Sequence, residues 1–186
     1  MKRLAIALAL IAPTGVQAQE AGTAAWDRIY AVASHPRCTN CHVGESGRPA
    51  WDDLGYAKDR VHGMNIVAGE SRIGAESIPC RVCHISGEGA NDVPHSAPQI
   101  DEAWRLPPVE LAWRGKSSVE VCNQLRDPEA NDGFDMAELA EHVRTSAFVN
   151  YGFKPGAGRT PAPGTAEELA QHLEVWAAAG TPCVGD

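Results

Sequence analysis

The feature that most constrains the fold is the five-residue pattern C-x-x-C-H, which occurs twice in the chain, at residues 38–42 and 80–84. In each copy, two thiols and an imidazole lie within one turn of chain. The likeness continues beyond the histidines, over residues 38–47 and 80–89. We therefore expect two equivalent sites in one polypeptide.

This pattern is the attachment signature of c-type haem. Each thiol can add to one haem vinyl group, and the histidine that follows is then held beneath the iron as its proximal ligand. The sequence thus predicts two covalently attached haem c groups. Their cofactor-binding residues would be Cys38, Cys41, His42, Cys80, Cys83 and His84.

Three other interpretations of the cysteine pairs compete with haem: a thiol–disulfide motif, a shared zinc ion, and two disulfides. Zinc ribbons separate their cysteine pairs by about 15 to 20 residues, about half the separation between Cys41 and Cys80. Zinc also leaves the histidine after each pair unexplained. We therefore favour haem.

Residues 1–18 have the form of an export signal, with Lys2 and Arg3 before an apolar run at 4–12 and a small-residue cleavage site at 16–18. The apolar run is about half the roughly 20 residues that a membrane-spanning helix needs. We expect a periplasmic domain over residues 19–186 with no membrane span. Bacterial c-type haems are attached outside the cytoplasm, so export supports the haem interpretation.

Composition narrows the possible partners. The chain has 186 residues, and 24 Asp and Glu against 16 Lys and Arg give a net charge of −8. An acidic surface repels phosphate backbones, which excludes nucleic acid as a partner.

The periodicity of apolar residues predicts a mainly α, loop-rich, cytochrome c-like fold wrapped around two covalent haems, with the helical part from about residue 109. Residues 44–77 and 87–108 are irregular and rich in Gly or Pro. Ordering so much loop requires burial against something, and haem would supply it. Helices are predicted at residues 21–34, 117–126, 135–146 and 165–179.

Cys122 and Cys183 belong to neither motif. In an oxidising compartment a disulfide between them would close the C-terminal third of the chain. Two free thiols are the alternative.

Each proximal histidine leaves one axial position for a sixth ligand. His62 lies midway between the motifs, with Met64 as its local rival. His142 and His172 each lie at the edge of an apolar helix face, and periodicity does not choose between them. The remaining candidates are His35, which is close to its own motif, His95 and Met136.

Further runs accompany the two motifs: H-G-M-N from His62, L-P-P from Leu106, P-G-A-G-R from Pro155, and residues 176–183. Together they resemble a small family of exported dihaem cytochromes known as isoquinoline 1-oxidoreductase subunits. The resemblance implies haem c, one-electron transfer and service to a molybdenum hydroxylase as redox partner. It also implies that His62 and His142 are the distal ligands.

The sequence departs from that family at two places. Ala68 stands where the family commonly has Arg, and Trp104-Arg105 stands where His often precedes L-P-P. The second departure removes one possible ligand and favours His142.

We therefore expect a periplasmic one-electron carrier rather than an enzyme. One alternative is a peroxidase-like haem enzyme or gas sensor with an open iron, for which Arg144 or Arg159 could assist. The other is an electron-transfer subunit of a larger dehydrogenase.

Overall fold

The computed structural model describes residues 15–52, 60–87, 89, 91–94 and 96–184. Within these ranges no β-strand occurs, and extended pairing is limited to isolated bridges at Ala50–Val61 and Ser86–Ile100. The mainly α class is thus confirmed. The described helices are α1 (Gly15–Ala33), α2 (Pro36–Thr39), α3 (Ser118–Arg126), α4 (Met136–Thr145), α5 (Ala147–Phe153) and α6 (Ala166–Ala178).

The three predicted C-terminal helices are confirmed as α3, α4 and α6. They begin after Ser117, Asp135 and Thr165, and each of these side chains accepts a hydrogen bond from the backbone N–H three residues later. Such caps satisfy N–H groups that have no partner within the helix. The local sequence therefore sets where these helices start.

The first helix is longer than predicted. We expected it to begin at residue 21, whereas α1 begins at Gly15 and crosses the predicted cleavage site at 16–18. No proline lies between Gly15 and Ala33 to interrupt it. Residues 1–14, the rest of the predicted signal, lie outside the described residues.

Helix α5 was not predicted. Ser146 ends α4 and also caps α5, because its N–H donates to His142 and its side chain accepts from the N–H of Val149. The chain thus turns sharply between two helices without a Gly or Pro. The turn sets the position of α5, which carries Tyr151.

The helical core comprises apolar residues of α1, α3, α4 and α6. Trp26 and Trp176 are fully buried with ring centroids 5.0 Å apart, and the Trp26 indole donates to Ser118 at 2.7 Å. Gly22 lets α1 approach the end of α6, since a Cβ there would lie 2.5 Å from that of Ala179. The predicted Cys122–Cys183 disulfide joins α3 to the chain beyond α6.

The side chain of Arg72 links the irregular segments through hydrogen bonds to backbone carbonyls. Arg72 donates to the carbonyls of Val43, Gly44 and Pro107. It therefore ties the chain after the first motif to the chain before α3. In the described ranges, no helix has both the length and the apolar character needed to cross a bilayer.

Candidate cofactor site

Both C-x-x-C-H motifs adopt the same backbone turn. In the first, the N–H groups of Cys41 and His42 donate to the Cys38 carbonyl at 3.1 and 3.0 Å. In the second, the N–H groups of Cys83 and His84 donate to Cys80 at 3.2 and 2.9 Å. One turn therefore presents two thiols and an imidazole in each motif.

The two motif histidines are oriented in the same way. Nδ1–H of His42 donates to the Leu111 carbonyl, and Nδ1–H of His84 donates to the Pro98 carbonyl, both at 2.8 Å. This bond leaves Nε2 as the nitrogen that can bind a metal. Metal-binding histidines characteristically donate their other ring N–H to a carbonyl or carboxylate in this way.

A tryptophan stacks on each of these rings. The ring centroids of Trp113 and His42 are 3.5 Å apart with a 4° angle between the ring planes. Those of Trp104 and His84 are 4.3 Å apart with an angle of 13°. Neither tryptophan was predicted to contact a motif. Trp104 therefore supports the face of the His84 ring.

Burial keeps both imidazoles neutral. It lowers the pKa of His42 to about 4, against a weaker opposing effect of the hydrogen bond to Leu111. Burial is also the main cause that lowers the pKa of His84. A neutral imidazole at neutral pH keeps the lone pair that a metal ion requires.

The motifs face a common cavity of about 290 Å³. Cys41 of the first motif and Cys80, Cys83 and His84 of the second line it. Charge on Cys80 would raise the pKa of Cys41, so the two motifs are close neighbours. The remaining wall is largely apolar, formed by residues such as Trp51, Ile66, Pro98 and Leu106.

His62 also lies in this cavity, opposite His84. The ring centroids of His62 and His84 are 6.1 Å apart, and Nδ1–H of His62 donates to the Gly63 carbonyl at 2.9 Å. His62 and His84 are therefore close enough that both could hold one metal ion. Met64, the rival ligand, is 80% exposed.

Of the two helical candidates, His142 lies closer to a motif. It is near enough to His42 for its charge to lower the pKa of that ring, and it lies 5.1 Å from the ring of Phe134. His172 is on α6, and neither His142 nor His172 lines the cavity. His62 thus contacts the histidine of the second motif, whereas His142 is related to the first motif only through the effect of its charge on the pKa of His42.

The remaining candidates lie elsewhere. His35 caps α2 by accepting from the N–H of Arg37, and Met136 packs against the helical core. His95 lies outside the described residues. Arg144 is bound to Glu167 and Glu174 on the surface of α6.

The four motif cysteines are free thiols, whereas Cys122 and Cys183 are joined. Burial raises the pKa of Cys38 to about 12 and that of Cys41 to about 11. Burial also raises the pKa of Cys80, while Cys83 is exposed. By accessible surface Cys38, Cys41 and Cys80 are half-buried and Cys83 is exposed, so the second pair is the more open of the two.

The residues present fit a c-type haem at each motif. Each motif has paired thiols and an oriented neutral imidazole, and the apolar cavity is lined by Cys41 of the first motif and by Cys80, Cys83 and His84 of the second, with His62 beside them. Among the described residues, no three His, Cys, Asp or Glu side chains are gathered as a metal site by themselves. The chain matches no protein-family model, no curated protein and no solved structure.

Proposed function

We propose that this protein is a periplasmic dihaem c-type cytochrome that transfers single electrons. When bound, each haem supplies an iron that alternates between the ferric and ferrous states. The polypeptide supplies the thiols, the axial ligands and an environment of low dielectric. Cys38, Cys41 and His42 would hold one haem, and Cys80, Cys83 and His84 the other.

The observation that carries the proposal is the matched orientation of His42 and His84. Each donates Nδ1–H to a backbone carbonyl at 2.8 Å, and each is stacked on a tryptophan. Neither arrangement is encoded by the pentapeptide, because the carbonyls and indoles come from distant residues. Both motifs thus have the supporting contacts that metal-ligating histidines need.

We further propose that His62 is the distal ligand paired with His84, and that His142 is paired with His42. The 6.1 Å separation of the His62 and His84 rings supports the first pairing. The electrostatic effect of His142 on His42 supports the second. Two histidine ligands on each iron would leave no open position for a substrate, which favours electron transfer over peroxidase or gas-binding chemistry.

The test is to produce the full chain in a bacterium competent in cytochrome c maturation and to record its mass and its reduced spectrum with and without CO. We expect the mass of two added haems, low-spin spectra and no rapid CO binding. A mass without haem would refute the proposal. Rapid CO binding by either haem would refute the carrier function and favour the enzyme or sensor.

Matched variants test the distal ligands. His62→Ala and His142→Ala should each convert one haem to a form that binds CO. Met64→Leu and His172→Ala are the controls, since they change the rival candidate that the sequence offers for each ligand, and they should leave both haems inert to CO. A reversed pattern would reject His62 and His142 as distal ligands.

A further inference from the structure

Arg159 is a buried cation in the wall of the cavity. Its side chain is held by backbone carbonyls, and the residue is only 8% exposed. Nη1 donates to Asn91, Pro155 and Ala157 at 3.2 to 3.4 Å, and Nη2 donates to the Ser96 carbonyl and, at 3.5 Å, to its hydroxyl. All of these acceptors are neutral.

In the described part of the chain, Arg159 forms no ion pair with a carboxylate. A buried charge is costly when no counter-charge accompanies it. Arg144 provides the contrast within the same protein, because it pairs with both Glu167 and Glu174 at the surface. The environment of Arg159 therefore suits an anion that the polypeptide does not supply.

Tyr151 lies in the same cavity wall and also has a donor to offer. Its hydroxyl is buried beside the Arg37 guanidinium, and its O–H has no acceptor among the described residues. Burial raises the pKa of Tyr151, and the charges of Arg159 and Arg37 oppose that rise. A neutral O–H and a guanidinium thus lie close together beside His84, whose pKa the charge of Arg159 also lowers.

We infer that Arg159 and Tyr151 bind a carboxylate, namely a propionate group of the haem attached at Cys80 and Cys83. This inference rests on the proposed function. Nε–H of Arg159, which bonds to no described residue, and the O–H of Tyr151 would both donate to the carboxylate oxygens. Such charge-assisted hydrogen bonds are stronger than neutral ones.

The experiment compares Arg159→Gln, Arg159→Lys and Tyr151→Phe in the full, haem-loaded protein. Redox titration measures the midpoint potential of each haem, and resonance Raman spectroscopy measures the propionate bending bands. Arg159→Gln removes a positive charge that disfavours ferric iron, so the potential of the second haem should fall. We expect about a tenfold shift of its ferric–ferrous equilibrium, or about 59 mV for one electron.

Arg159→Lys should lower the potential less, because the charge remains. Tyr151→Phe should shift a propionate band of the second haem without changing its axial ligands, which a purely structural role would not do. Arg144→Gln is the control and should leave potentials and bands unchanged. Unaltered bands and potentials in both Arg159→Gln and Tyr151→Phe would overturn the inference, and Tyr151→Phe alone decides it if Arg159→Gln does not fold.

A small carboxylate from solution is the other anion that Arg159 and Tyr151 could bind. Titration with acetate at constant ionic strength should give no saturable change in the potential, because the propionate already occupies the site. A saturable change would overturn the propionate assignment in favour of a diffusible anion. Absence of haem in the mass spectrum would instead refute the proposed function, so the two failures are distinguishable.

Discussion

The two C-x-x-C-H motifs share one backbone turn but lie in different surroundings. After the first histidine, Val43 is 3% exposed and packs with Ala68 and Leu106. At the equivalent place in the second motif, Ile85 is 54% exposed. The pentapeptide therefore determines the local turn, whereas the chain around it determines how deeply the site is buried.

The difference arises from the neighbouring elements. The first motif begins in α2, directly after α1, and the His42 carbonyl accepts from the N–H groups of Trp113 and Arg114 just before α3. The second motif lies among irregular segments, with a 3₁₀ turn at Cys80–Val82. On the proposed function, the second site is the one through which a redox partner would exchange electrons.

The largest expected difference between the motifs is in thiol reactivity before haem attachment. Raising the pKa of Cys38 from 9.0 to about 12 lowers its thiolate fraction about 1000-fold, and only the thiolate reacts with iodoacetamide. In chain made without the attachment machinery, Cys83 should be alkylated at pH 8 at least about 100-fold faster than Cys38. Peptide mass spectrometry measures both rates.

The rate at Cys38 should also rise about tenfold per pH unit between about pH 7 and pH 9, because the thiolate fraction rises in that proportion well below the pKa. Denaturant is the control, since it should bring the rates of the two cysteines together. Equal rates in the native chain would contradict the difference in burial.

Loss of the disulfide should have the next largest effect. Cys122 and Cys183 are separated by 61 positions, for which the loop-closure model gives about 4 kcal/mol of stabilisation. The double variant Cys122→Ala/Cys183→Ala should lower the free energy of unfolding by about that amount in urea denaturation. Reduction of the unmodified protein should give a similar loss.

Loss of the disulfide should also affect the first motif more than the second. The disulfide anchors α3, and the segment before α3 carries the Leu111 carbonyl that orients His42. The environment of the first motif should therefore loosen before that of the second as denaturant is added to the double variant. Simultaneous loosening would show that the helical core supports both motifs equally.

Local signals in the sequence predicted much of the fold. The caps at Ser117, Asp135 and Thr165 lie within three residues of the groups they satisfy, so their helices could be located from sequence alone. The disulfide followed from the two cysteines outside the motifs. Helix α5 was not predicted from the sequence because Ser146 both ends α4 and caps α5.

The residues that support the motif histidines and hold the cavity wall could not be predicted in the same way. Trp113 and Trp104 reach their histidines from distant segments, and Arg159 reaches the carbonyls of Asn91 and Ser96. Sequence spacing does not encode contacts that depend on how loops close. The motif histidines were found by pattern, but the groups that orient them required the fold.

The smallest expected effect comes from equivalent positions beside the two motifs. Val43→Ala removes buried methyl groups and should lower the free energy of unfolding by about 2 kcal/mol. Ile85→Ala is the matched control and should cost less than about 0.5 kcal/mol, because the side chain is largely exposed. Urea denaturation of the haem-loaded variants measures both. A comparable loss in Ile85→Ala would mean that the second motif is as deeply enclosed as the first when the cofactors are attached, and the assignment of the second site as the electron-exchange surface would then fail.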